Sequence, residues 1–311
     1  MISRMRKNKE VIIGAALVGL SSVLWGFDGV VLTPRLGNLD IGFVVFVLHL
    51  LPFILMNIFL YKRYALLKTL DSGEWISLFG VALFGGAVGT MAIVKALFLV
   101  DFDSFSIVVL LQKLQPIFAI LLAATYLKEK PSKNFLKWAA VAVFFGYFLT
   151  FGLHLPDFHR DKNIVLVAFY SILAAFSFGS STVFSKKLLE KVDFVSASFF
   201  RYGLVTMMMF FYVLINGHLF DFGVMTKLNW TVLLITTVTT GSGAIFLYYY
   251  GLTKVKAIIS TIAELFFPIS AILFDYVFNG AVLSPIQWIS AGIMIFAIVN
   301  LNLDNSRRNV V

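Results

Sequence analysis

Six charged residues interrupt the long apolar runs of this sequence: Asp28, Lys95, Lys113, Arg201, Glu264 and Asp275. A charge at the centre of a bilayer costs roughly 2.5–3.5 kcal/mol on an insertion scale, so each must face a partner, water or a ligand. Glu264 carries the clearest pattern. Thr261, Glu264, Pro268, Ala271 and Asp275 recur at spacings of three and four, which sets them on one face of a helix. Pro268 cannot donate a backbone hydrogen bond and crowds the preceding turn, so a kink or hinge is expected beside Glu264. Gln112 and Pro116 repeat the four-residue spacing earlier in the chain, with Gln115 beside them, and Pro116 is read as a second hinge. Amides can hydrogen-bond a zwitterion or a sugar without the cost of a buried charge.

Further polar faces accompany these. Ser21, Trp25 and Asp28 share one helix face, and Ser171, Phe178 and Ser181 or Ser185 make a counterpart. His49 can carry a proton near neutrality or serve as a hydrogen-bonding residue between helices. Arg201 and Glu264 each lie seven residues into their runs, at a depth that suits an ion pair or the two ends of one zwitterion. Lys95 and Asp275, with Asp28, lie near the other ends of theirs and are read as an outer charge cluster. Lys113 points about 100° away from Gln112, consistent with snorkelling outward. Tyr248, Tyr249 and Tyr250 close a run at an interface, where tyrosine is common, and Tyr248 is read as lining an inner mouth.

The elements that position these residues must be membrane spans. The chain has 311 residues, 60% hydrophobic and 13% charged, with mean hydropathy +0.93, whereas soluble chains carry about 25% charged residues. A water-exposed surface is therefore excluded. The absence of cysteine excludes disulfides, thiolate catalysis and cysteine-bound metal. Apolar runs fall at 11–33, 41–61, 75–97, 104–127, 135–153, 164–185, 194–215, 229–251, 257–279 and 286–303, which are ten all-helical spans of the length a bilayer needs. With an N-terminus in the cytoplasm, eighteen Lys and Arg fall in inside segments and four (Arg35, Arg160, Lys162, Lys227) in outside loops. That bias predicts both termini in the cytoplasm of a cell bounded by this plasma (inner) membrane. The net charge of +9 thus reads as topology, with no nucleic-acid partner.

The chain also repeats itself. At an offset of 153, Trp25-Gly26 falls on Phe178-Gly179; at 155, Trp75 and Gly86 fall on Trp230 and Gly241; at 152, Pro116 and Ala119 fall on Pro268 and Ala271. Gln112 then matches Glu264, and His49 matches Arg201. The drift in offset places an excess of three residues around Asp101-Phe102-Asp103. Residues 1–153 and 164–311 are thus two five-span repeats in a single membrane domain, and an odd span number inverts the second relative to the first. Gly85, Gly86 and Gly89, with Gly241, Gly243 and Ala244, are expected to permit close helix approach.

The sequence resembles EamA-type members of the drug/metabolite transporter superfamily. Trp25-Gly26, Ala96-Leu97, Gly251-Leu252, the proline-centred spans 4 and 9, Leu127-Lys128-Glu129-Lys130 and Phe200-Arg201-Tyr202 carry the likeness, which covers nearly the whole chain. The resemblance implies an exporter or exchanger of amino acids and other small metabolites. Inverted repeats with midplane prolines point the same way, to a secondary transporter working by alternating access, without a cofactor. Trp25, Asp28, His49, Gln112, Gln115, Arg201, Tyr248 and Glu264 are the expected substrate pathway, with protons a candidate coupling partner. A flippase of a lipid-linked small molecule is the alternative on this scaffold. An enzyme is disfavoured, since cysteine is absent and histidines are not clustered.

Overall fold

The computed structural model describes residues 2–99, 108, 111–112, 114–128, 131, 133–153, 164–280 and 284–308. Lys113, the excess at Asp101 to Asp103, Glu129, Lys130 and the loop around Asp161 lie outside the described residues. Among those described, all regular structure is helical. The helices are α1 (Ile2–Phe27), α2 (Ile41–Leu60), α3 (Ser72–Gly80), α4 (Gly89–Leu99), α5 (Gln115–Tyr126), α6 (Lys133–Phe151), α7 (Ile164–Leu188), α8 (Phe194–Ile215), α9 (Lys227–Thr236), α10 (Ser242–Lys254), α11 (Ala257–Ala263), α12 (Phe266–Asn279) and α13 (Pro285–Arg308). Six continuous helical stretches are long and apolar enough to cross a membrane, and shorter apolar helices cover Ile117–Tyr126, Leu136–Phe145, Phe266–Phe278 and Pro285–Ala297. The exterior is correspondingly apolar. Phe59 is 74% exposed and Ile215 82%, positions that water would penalise and lipid tails accept.

Local sequence explains where the helices start. Asp40 accepts from the Phe43 amide at 2.9 Å, and Asp193 caps α8 through the amides of Val195 and Ser196. Asp71 with Glu74 and Thr226 with Asn229 form capping boxes on α3 and α9. Each pair of caps is related by the repeat offsets, 40 to 193 and 71 to 226.

The repeat also governs irregular backbone. π-Helical turns join α3 to α4 at Val81–Val88 and α9 to α10 at Thr237–Gly241, repeat-related positions, and a third follows α1 at Asp28–Leu32. Gly241 ends such a turn and Gly243 follows it in the first turn of α10: a Cβ there would meet the carbonyls of Thr236 and Val238 in the same stretch, so the expectation of a neighbouring helix is corrected. Gly85 and Gly86 do meet other helices, at Ser181 and Val205.

The largest helix contacts all cross between the halves. α1 packs on α10 as α7 packs on α4, α1 packs on α12 as α7 packs on α5, and α2 pairs with α8 and α6 with α13. Gly26 of α1 lies against the Phe267 carbonyl and Ala271 amide, so that an added Cβ would stand 3.0 and 3.1 Å away. Gly179 of α7 lies against the Gln115 carbonyl and Ala119 amide, with the corresponding distances 2.9 and 3.0 Å. The two sets of contact atoms are related by the same offset of 152 as the two prolines.

Candidate functional site

Prolines in the two spans set the site. Pro268 has no amide hydrogen to give the Glu264 carbonyl, which instead accepts from the Phe267 amide in a tight turn at 3.0 Å. The helix breaks there, with α11 ending at Ala263 and α12 starting at Phe266. Sequence reasoning placed a kink here, and the structure has a break between two helices. In the first half, Pro116 is the second residue of α5, and the Leu114 carbonyl accepts from the Ile117 amide at 3.0 Å. Gln112, Gln115 and Glu264 thus sit at the two breaks.

A cavity of about 270 Å³ lies between the halves, and Trp25, Asp28, His49, Gln112, Gln115, Arg201, Tyr248 and Glu264 all line it. Glu264 accepts from the Gln115 amide, from the Tyr248 hydroxyl at 3.0 Å and from Thr182 at 3.5 Å, while Thr182 and Tyr248 are 2.8 Å apart. Tyr248 also packs on Trp25, with ring centroids 5.4 Å apart. Asp28 accepts from Thr240 at 2.9 Å, Thr33 at 3.1 Å and Thr236 at 3.4 Å. The His49 Nδ1 donates to the Val45 carbonyl at 2.8 Å, since a carbonyl only accepts, which leaves Nε2 as the acceptor of the neutral ring. Arg201, 8% exposed, donates from Nη2 to the Gly85 carbonyl at 2.8 Å.

Three expected groupings change. Arg201 and Glu264 form no ion pair, because each is engaged by its own neighbours. Lys95 and Asp275 do not join either, and neither lines the cavity: the Lys95 ammonium stands over the Tyr170 ring, 5.3 Å from its centroid. Ser171 and Ser185 leave the polar face of α7 to bond the Val167 carbonyl and the Tyr249 hydroxyl, whereas Phe178 and Ser181 reach the cavity. Sequence reasoning missed the threonines Thr33, Thr182, Thr236 and Thr240. Threonine is common in membrane helices, so the sequence does not single these out; their role shows only in the partners they meet, Asp28 for Thr33, Thr236 and Thr240, and Glu264 with Tyr248 for Thr182.

The two ends of the cavity are tied differently. At one end Arg63 pairs with Asp193 at 2.8 Å, Lys191 with Asp71 at 2.7 Å and with Glu74 at 3.1 Å, and Lys254 with Glu10. The Lys191 hydrogen bond holds the Asp71 carboxyl below its ordinary range, and Asp71 in turn holds the Lys191 ammonium above its own. The sign follows: a lowered carboxyl contributes above its unfolded range and is lost as pH falls, a raised ammonium contributes below its unfolded range and is lost as pH rises. This tie is therefore complete around neutrality and weakens in acid, and its exposure keeps its contribution small. At the opposite end Asn38 and Asn229 exchange hydrogen bonds at 2.9 and 3.2 Å, and His218 lies 2.9 Å from Asp221 and 3.7 Å from Asp40.

A cavity between interleaved halves, at the breaks of two proline-bearing helices in an apolar-surfaced bundle, defines a multi-pass membrane transporter rather than an enzyme. The chain belongs to the EamA-like transporter family, which it matches twice, over residues 12–152 and 165–303. It is 50% identical over 290 residues to the riboflavin transporter ImpX of Fusobacterium nucleatum subsp. nucleatum, covering 93% of this chain and 97% of that one. A solved crystal structure at 17% identity shares the fold, with a TM-score of 0.68 over 94% of this chain and 98% of the other.

Proposed function

We propose that this protein is a secondary transporter that carries riboflavin, or a closely similar flavin, across the plasma membrane by alternating access of two inverted five-span halves around the central cavity. The 50% identical riboflavin transporter carries the reading, and the cavity chemistry supports it. Riboflavin is an uncharged aromatic ring system with a polyhydroxylated chain. Trp25, Tyr248, Phe178 and Phe267 offer aromatic surface, and the Asp28 cluster, Gln112 and Gln115 offer hydrogen bonds to hydroxyls. The amino-acid expectation rested on Glu264 and Arg201 sharing one zwitterion; with Glu264 already accepting three hydrogen bonds, a neutral polar ligand fits better.

Proteoliposomes holding the purified protein are expected to exchange radiolabelled riboflavin at least about tenfold faster than empty ones, with excess unlabelled amino acids having no effect. Equal rates in both, or competition by amino acids alone, would refute the reading, and a requirement for lipid-linked substrate would favour the flippase. Ten spans with both termini in the cytoplasm remain the proposed topology. Reporter fusions after Val311 and near Asp161 should lie on opposite sides, and the same side for both would refute it.

A further inference from the structure

Arg201 is the one buried cation of the cavity among its described lining residues, and its needs are not met by the protein. Its hydrogen bond to the Gly85 carbonyl uses Nη2, while Nε is buried without any partner. Among the described residues no carboxylate lies within ion-pair distance, and the Tyr249 ring, 5.8 Å from the guanidinium carbon, offers only a face. A guanidinium held in this way retains donors in a planar fork, and an uncompensated buried cation is costly. Nε is closed to the cavity as well as to the protein, so the donors left for a ligand are those of Nη1 and the second Nη2 hydrogen, a side of the fork that suits paired acceptors in one plane.

We propose that Arg201 is the specificity-determining anchor of the substrate, gripping the carbonyl and ring-nitrogen acceptors on the pyrimidine edge of a flavin ring. This rests on the flavin reading above and adds to it an orientation: the ring edge goes to Arg201 of α8, and the hydroxylated chain goes to hydroxyl-rich positions such as the Asp28 cluster. Arg201 then reads a feature common to all flavins, and the threonines read the chain that distinguishes riboflavin from its bare ring.

The test is fluorescence-quenching titration of the purified full-length protein with riboflavin, with lumiflavin, which lacks the hydroxylated chain, and with 2-thio- and 4-thioriboflavin, whose edge acceptors are weakened one at a time. Losing charge-assisted hydrogen bonds should weaken binding about tenfold or more. Arg201→Gln is expected to weaken riboflavin and lumiflavin by the same factor, Arg201→Lys to restore binding only in part, and Thr240→Val to weaken riboflavin alone. On the native protein at least one thio analogue should bind more weakly than riboflavin, a comparison that needs no folded variant. Native binding of riboflavin that is indifferent to both thio substitutions, or a folded Arg201→Gln that binds riboflavin within twofold of native, would overturn the anchor while leaving the flavin reading intact. Failure of the native protein to bind any flavin would overturn the functional reading itself, and the anchor with it.

Discussion

Glu264→Leu is expected to cut riboflavin transport about a hundredfold and to lower the unfolding temperature of the purified protein by several degrees. The carboxylate accepts from Gln115, Tyr248 and Thr182. Leucine removes the acceptor of the Gln115 amide, whereas Tyr248 can turn to Thr182 at 2.8 Å. A buried donor left unmade costs about 1–3 kcal/mol, the upper end of which corresponds to roughly a hundredfold. Glu264→Gln keeps the volume and one acceptor but sets a second donor against Gln115, so a smaller loss of about tenfold is expected. Adding Arg201→Gln to either variant will not restore transport, because the two side chains do not pair. Restoration in the double variant would refute this description of the site.

The second large effect concerns two glycines with no polar function. Gly26→Ala and Gly179→Ala each drive a methyl group against the backbone of a broken helix, where Phe267 and Gln115 begin the segments that face the cavity. Overpacking costs about 1–3 kcal/mol, and a backbone neighbour has little room to yield. Each variant should therefore melt several degrees lower and transport about tenfold more slowly, with nearly additive stability losses in the double variant. Gly292→Ala is the control, since nothing lies within 4 Å of its added methyl. Thermal unfolding that moves as little in Gly26→Ala as in Gly292→Ala would show that the close approach is dispensable.

Sequence alone exposed the two proline positions, the matching of Gln112 with Glu264 and eight residues that meet at one cavity. These were legible because a charge or an amide in an apolar run is costly, and because proline and glycine act on the backbone wherever they stand. Partner choice was not legible. Depth along a span aligned Arg201 with Glu264, yet depth fixes one coordinate of three, and Arg201 meets the Gly85 carbonyl in the π-helical turn instead. Lys95 failed as an outer-cluster member for the same reason, its ammonium finding an aromatic face on α7. The threonines around Asp28 come from two stretches far apart in the chain, Thr33 beside Asp28 itself and Thr236 with Thr240 in the second half, so no local pattern announces their meeting.

The interleaving of the halves also sets an order of assembly during synthesis. α1 leaves the ribosome first, but the surface against which Gly26 fits belongs to Phe267 and Ala271, and its other main neighbour is α10. α5 likewise waits for α7. The helices of the first half therefore enter the bilayer with their main contact faces unoccupied, and the nascent chain must remain a loose bundle until α12 has been made. Truncation before α12 is accordingly a loss of the whole protein, not of one part.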